Sequence, residues 1–271
     1  MKPYYEEQQA TIYHGDNIAT MQAVIPDASI DLVVTSPPYD NLRTYGGHSW
    51  DFEGVAQQLW RLIKPGGVVV WIVADATIDG SETGTSFRQA LRFMEIGFRL
   101  HDTMIYLKAG FSFPDHVRCH QVFEYMFCFS KGDVKTFNQI KDRKTVNGGK
   151  PLGGDYKRNI DGKSVMRAGS DQRGVRAEYG GRSNVWDVAA GGSNSASDAA
   201  AFNHPAIFPE SLARDHILSW SNEGDVVLDP FSGSGTTLKM ARLMGRKGIG
   251  IEIKQEYCDI AVERLRQRVL F

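Results

Sequence analysis

The stretch VVLDPFSGSGTTLKMARLMGRKGIGIE, residues 226–252, decides how the chain folds. Val226, Val227 and Leu228 favour a buried strand, which stops at Asp229-Pro230 because proline has no amide to donate. Gly233 and Gly235 then make a tight turn, Thr236 and Thr237 open a helix, and Lys247–Glu252 reads as a second strand. Strand, turn, helix and strand in that order are a βα repeat of a mostly parallel sheet. The glycines let the backbone come close to a ligand, and the helix N-terminus offers free amides. Glu252, ending the second strand, is placed to bond ribose hydroxyls, so the unit suits a nucleoside-bearing cofactor. It lacks the third glycine of the dinucleotide fingerprint, with Leu238 and Lys239 following the threonines instead. No Gly-Lys-Ser/Thr closes a phosphate loop either.

The same alternation recurs upstream, over about residues 10–130. TIYHGD (11–16) reads as a strand, NIATMQAVI (17–25) as a helix and IDLVVTS (30–36) as a buried strand. FEGVAQQLWRLI (52–63) sets Val55, Leu59, Leu62 and Ile63 at helical intervals, and KPGG (64–67) is expected to stop it with a turn. VVVWIVA (68–74), HDTMIYLK (101–108) and VFEYMFCFS (122–130) follow as strands, with SFRQALRFMEIGF (86–98) as a helix. Downstream, PESLARDHILSW (209–220) and QEYCDIAVERLRQRVL (255–270) read as helices.

Residues 131–200 differ: they are rich in Gly, Ser and basic residues and poor in apolar periodicity. A loop of that length inside a compact domain is usually functional or mobile. The expectation is one αβ domain, residues 1–130 and 201–271, interrupted by a basic insert at 131–200. Residues 131–186 carry 13 Lys and Arg against six Asp and Glu, a local balance of +7 in a chain of net −1. Such an asymmetry suits an acidic partner, most commonly nucleic acid. With 42% hydrophobic and 23% charged residues, the 271-residue chain has material for a core and is not globally disordered. No signal-like apolar stretch opens it, and its longest apolar run, VVVWIVA, is too short to span a bilayer. A soluble, intracellular protein is expected, with no membrane partner. Cys119, Cys128 and Cys258 suit a reducing compartment. His116, Cys119, His120 and Cys128 lack the spacing of a zinc site, so no metal is expected.

DLVVTSPPY (31–39) ends a strand abruptly. Two prolines stiffen the chain where the sheet stops, between a serine hydroxyl and a tyrosine ring. TSPPY together with DPFSGSGTT resembles the S-adenosylmethionine-dependent DNA amino-methyltransferases, which act on adenine N6 or cytosine N4. The order, catalytic motif first and cofactor turn near the C-terminus, resembles their β group, whose target-recognition region lies between the two. The likeness spans nearly the whole chain. IYHGDN (12–17) resembles the Gly-Asp element, and IKPGGVVV (63–70) and FEYMFCFSK (123–131) resemble framework strands. RSNVWDV (182–188) resembles the junction leaving the recognition region, and HPAIFPESLARDHI (204–217) the segment over the cofactor's methionine end.

The resemblance implies a Rossmann-like methyltransferase fold: a mostly parallel twisted sheet with helices on both faces, permuted motif order and an inserted recognition region. It implies S-adenosylmethionine as methyl donor, with S-adenosylhomocysteine as product. The implied cofactor residues are Asp16, Thr35, Ser36, Phe208, Asp229, Pro230, Phe231, Gly233, Ser234, Gly235, Thr236 and Glu252. The catalytic ones are Ser36, Pro37, Pro38 and Tyr39. An exocyclic amino nitrogen shares its lone pair with the ring. Accepting its hydrogens at Ser36 Oγ and the Pro37 carbonyl would free that pair, while Tyr39 stacks on the flipped base. Duplex DNA is the implied partner, with Arg143, Lys144, Lys157, Arg158, Arg167, Arg173 and Arg176 as contact candidates. Asp40, Asn41, Arg43 and Tyr45 could contact DNA or order the pocket mouth, and Trp186 is expected to anchor the insert rather than stack on a base. Lys64 is expected to shape its turn. A homodimer and a companion restriction endonuclease are options the family leaves open, in a bacterial or phage-infected cytoplasm. Ser36 is associated with cytosine-N4 enzymes, but adenine enzymes are commoner in the β group, which places adenine N6 narrowly first. The rival readings are a protein-glutamine methyltransferase, whose cofactor turn precedes its catalytic loop, and a non-catalytic DNA-binding homologue.

Overall fold

Leu32 and Val34 bury against one side of their strand and Val33 against the other. Its neighbour does the same, with Val68, Val70 and Ile72 opposed to Val69, Trp71 and Val73. Strands buried on both faces require helices on both. The computed structural model describes residues 1–7, 9–39, 50–109, 117–150, 156–166, 175–189, 195–204 and 207–267. They contain β1 (Tyr5–Glu7), β2 (Ala10–His14), β3 (Ile30–Thr35), β4 (Ile63–Val73), β5 (Arg99–Ala109), β6 (Phe123–Ser130), β7 (Val185–Ala189), β8 (Val226–Asp229) and β9 (Lys247–Glu252). These form one sheet in the order β1-β2-β9-β8-β3-β4-β6-β5-β7. β2, β9, β8, β3 and β4 run parallel, β6 is antiparallel to β4 and β5, and β7 is parallel to β5.

Helices α1 (Asn17–Val24), α2 (Phe52–Leu62) and α3 (Thr85–Ile96) cover one face through Met21, Leu59 and Phe93. Helices α4 (Glu210–Trp220) and α5 (Thr236–Leu243) cover the other through Leu212, Ile217 and Met240. Helix α6 (Gln255–Arg266) packs Cys258, Ala261 and Leu265 with Ile12 and Leu238. The chain leaves β8 for β9 in one direction and β3 for β4 in the other. The crevice at the carboxyl ends of β8 and β3 is therefore a topological switch point, where open α/β sheets bind ligands.

Three sequence expectations change. KPGG is not a turn between elements but a bulge inside β4, where pairing shifts from Ile30–Ile63 to Leu32–Val68. Bonds from the Gly66 amide to the Lys131 carbonyl at 2.7 Å, and from the Lys131 amide to the Gly67 carbonyl at 3.2 Å, carry the pairing through the glycines. Lys64 meets Asp31 at 2.7 Å instead of shaping a turn. Trp186 is a buried residue of β7, stacked on His216 at 4.4 Å, so it belongs to the sheet unit's core.

Residues 139–183 form a second compact unit, while 131–138 and 184–200 belong with the sheet, narrower bounds than the expected insert. The unit's described residues hold two antiparallel pairs, Arg143–Lys144 with Tyr179–Gly180 and Tyr156–Arg158 with Ser164–Met166. Among the described residues no helix is long and apolar enough to cross a membrane.

Candidate active site

The segments leaving the carboxyl ends of β2, β3, β4, β8 and β9 line one cavity of about 1010 Å³. On one side lies the glycine turn. Asp229, buried at the end of β8, accepts from Thr35 Oγ1 at 2.7 Å and from the Phe231 amide at 3.0 Å, both on Oδ1. Burial pushes its carboxyl up to about 6 even so. Glu252 takes the Gly233 amide on Oε2 and the Lys254 amide on Oε1, each at 2.9 Å. Its carboxyl is also raised, first by burial. These amide bonds aim the carboxylate.

The two glycines serve different ends. Gly233 has φ +50°, and a Cβ there would stand 3.1 Å from the His204 ring. Gly235, with φ +76°, faces away from the cavity: a Cβ would lie 2.7 Å from Ala261 Cβ on α6. Thr35 likewise stands behind the wall, spending its hydroxyl on Asp229. Phe208, Pro230, Phe231, Ser234 and Thr236 line the cavity, as does Asp16, whose carboxylate caps α1 by accepting from the Ala19 amide at 2.8 Å. Ser232 is a wall residue that sequence reasoning missed. Its Oγ is buried and has no partner among the described residues, although a buried hydroxyl normally has one. Trp50, edge-on to Phe231 at 5.0 Å, is another.

On the other side lie Ser36, Pro37, Pro38 and Tyr39. Ser36 Oγ is 2.8 Å from Tyr39 Oη, which donates to Glu124 Oε2 at 2.8 Å. Lys108 Nζ meets Glu124 Oε1 at 2.9 Å. Sequence reasoning also missed Glu124 and Lys108, although a lone charge in the apolar run VFEYMFCFS was a signal. Asp75, just beyond β4, also lines the cavity and accepts from the Ser86 amide at 2.8 Å and the Ser86 hydroxyl at 2.5 Å.

Arg143, Lys144, Arg158 and Arg176 are exposed on the 139–183 unit, and Lys157 lies on its Tyr156–Arg158 strand. Arg167 and Arg173 lie outside the described residues, as do Asp40, Asn41, Arg43, Tyr45 and His116. Cys119 and His120 are exposed, whereas Cys128 is buried in β6.

Residues 30–263 match the DNA methylase family. The orphan methyltransferase M.BamHII of Bacillus amyloliquefaciens is 58% identical over 252 residues, covering 92% of this chain and 94% of that protein. The fold matches that of the PvuII DNA methyltransferase, cytosine-N4-specific, with a TM-score of 0.71 at 22% identity, over 100% of this chain and 91% of that one. It also matches the Thermus thermophilus protein TTHA0409, a putative DNA modification methylase solved with S-adenosyl-L-methionine, with a TM-score of 0.61 at 26% identity and 95% coverage of both chains.

Proposed function

This chain belongs to the DNA methylase family, and on that premise we propose that it methylates cytosine N4 in duplex DNA, with S-adenosylmethionine as donor. The observation that carries the reading is a single cavity bounded by the glycine turn with Glu252 on one side and by Ser36–Tyr39 on the other. The donor fits that wall. Ser232 supplies a buried hydroxyl with no partner among the described residues, and Gly233 leaves room that a Cβ would fill. Glu252 offers an aimed carboxylate to ribose hydroxyls, and Asp16 and Phe208 line the same cavity. When bound, S-adenosylmethionine supplies a methyl group already activated on a sulfonium sulfur. The chain's own task is then position and polarisation. Ser36 Oγ and the Pro37 carbonyl accept the amino hydrogens, the stiff Pro-Pro segment holds them in place, and Tyr39 meets the flipped base. The exposed basic side chains of the 139–183 unit contact DNA.

Choosing cytosine reverses the narrow adenine preference drawn from the sequence. Ser36 is the acceptor associated with cytosine N4, and the PvuII enzyme that shares the fold has that specificity. Adenine rests only on its prevalence in the group. One relative is named an orphan methyltransferase, which supports a solitary enzyme over one paired with an endonuclease. Expression in a bacterium free of both marks, followed by nucleoside mass spectrometry and single-molecule sequencing, tests the proposal. N4-methylcytosine in one sequence context is expected. N6-methyladenine in its place would overturn the choice of base, and unmodified DNA would overturn the activity.

A further inference from the structure

We propose that Glu124 is a positioning residue for methyl transfer: through Tyr39 it turns the Ser36 hydroxyl into a fixed hydrogen-bond acceptor. This role presupposes that Ser36 receives the target amino group in the reaction proposed above. The directions of the hydrogen bonds follow from the groups involved. A carboxylate can only accept, while a lysine ammonium can only donate. Glu124 Oε1 takes Lys108 Nζ at 2.9 Å, and Oε2 takes the Tyr39 hydroxyl at 2.8 Å. Tyr39 has then committed its one hydroxyl hydrogen. Across the 2.8 Å to Ser36 its oxygen must accept, so the Ser36 hydrogen points at Tyr39.

A serine hydroxyl has one hydrogen and two lone pairs. With the hydrogen committed to Tyr39, what Ser36 presents to the cavity is lone pairs. A hydroxyl free to rotate would spend part of its time offering its hydrogen to the amino nitrogen's own pair, the electrons that must attack the methyl carbon. A carboxylate in place of Ser36 would need no such help, because it has no hydrogen to misplace. The anchor is also stiff: Glu124 sits opposite Tyr106 in the β5–β6 ladder, and its side chain is only 14% exposed. The acceptor on the loop is thus oriented from the sheet, which is less free to move than the loop itself.

Three variants, Tyr39→Phe, Glu124→Gln and the double, test the chain. Tyr39→Phe removes one oxygen and keeps the ring, while Gln at 124 can donate and so reverse the polarity. Single-turnover transfer from labelled S-adenosylmethionine is followed on genomic DNA from a host lacking the enzyme. Calorimetry with S-adenosylhomocysteine reports whether each variant is folded. Each single change should lower the transfer rate constant by about tenfold or more, and the double no further than the worse single, since both cut one chain. Affinity for S-adenosylhomocysteine should stay within about twofold. Wild-type rates in Tyr39→Phe, multiplied losses in the double, or losses confined to KM for DNA would overturn the proposal. Inactive wild-type protein would overturn the functional reading along with it, whereas active wild type with unaffected variants would remove only the orienting role.

Discussion

Asp229 carries a carboxyl whose folded pKa of about 6 lies above its ordinary 3.8. Burial outweighs the donors Thr35, Thr237 and Phe231. Across that window the folded chain binds more protons at this site than the unfolded chain does. Its contribution to stability therefore falls as pH rises from about 4 to about 6, by at most ~3 kcal/mol. Asp229→Asn should remove that slope. It retains an Oδ1 acceptor for Thr35 and Phe231, and urea unfolding at several pH values on wild type and variant would show the difference. An unchanged slope would mean that Asp229 ionises without cost. At this scale the motif was legible but its division of labour was not. Gly233 and Gly235 look alike in sequence, and only the distance to Ala261 reveals that the second serves helix packing.

Helices α4, α5 and α6 meet in a buried ionic cluster beside the glycine turn. Lys239 Nζ lies 2.7 Å from both Asp198 and Glu210, and Arg264 reaches them at 3.0 and 2.8 Å. Arg264, with its side chain fully buried, also donates to Ser234 O and Thr236 Oγ1, both at 2.8 Å. Two cations balance two carboxylates. Burial alone would push both carboxyls up, but the bonds from Lys239 and, at Asp198, also from Arg264 hold them below their ordinary values. Their stabilisation is present above the unfolded pKa and is lost as pH falls through the depressed folded values, the opposite sign to Asp229. Arg264→Leu strands a buried negative charge and should cost about 3–5 kcal/mol in denaturant unfolding. Calorimetry should also show weakened S-adenosylhomocysteine binding, since Ser234 and Thr236 lose their donor. A loss below about 1 kcal/mol would show that the cluster relaxes around the change.

The cavity belongs to the sheet unit, and Arg143, Lys144, Arg158 and Arg176 are exposed on residues 139–183. Reversing Arg143, Lys144, Arg158 and Arg176 together to Glu should weaken duplex binding. It should also flatten the dependence of log K on log salt, by up to about 0.9 for each side chain that neutralises a phosphate. Affinity for S-adenosylhomocysteine should not change. A salt titration in which affinity and slope both match wild type would mean that DNA is held elsewhere. The amino-acid sequence alone determined the βα alternation, the two motifs and their order, because strand and helix periodicities and glycine turns are written in neighbouring residues. Only the tertiary structure decided that KPGG is a bulge, that Trp186 is core, and that Arg264 holds the turn. Only it brought Glu124 to Tyr39, 85 residues away in the chain. Such contacts depend on strand register and on which elements become neighbours. Those are set by the packing of the whole unit, and no local pattern encodes them.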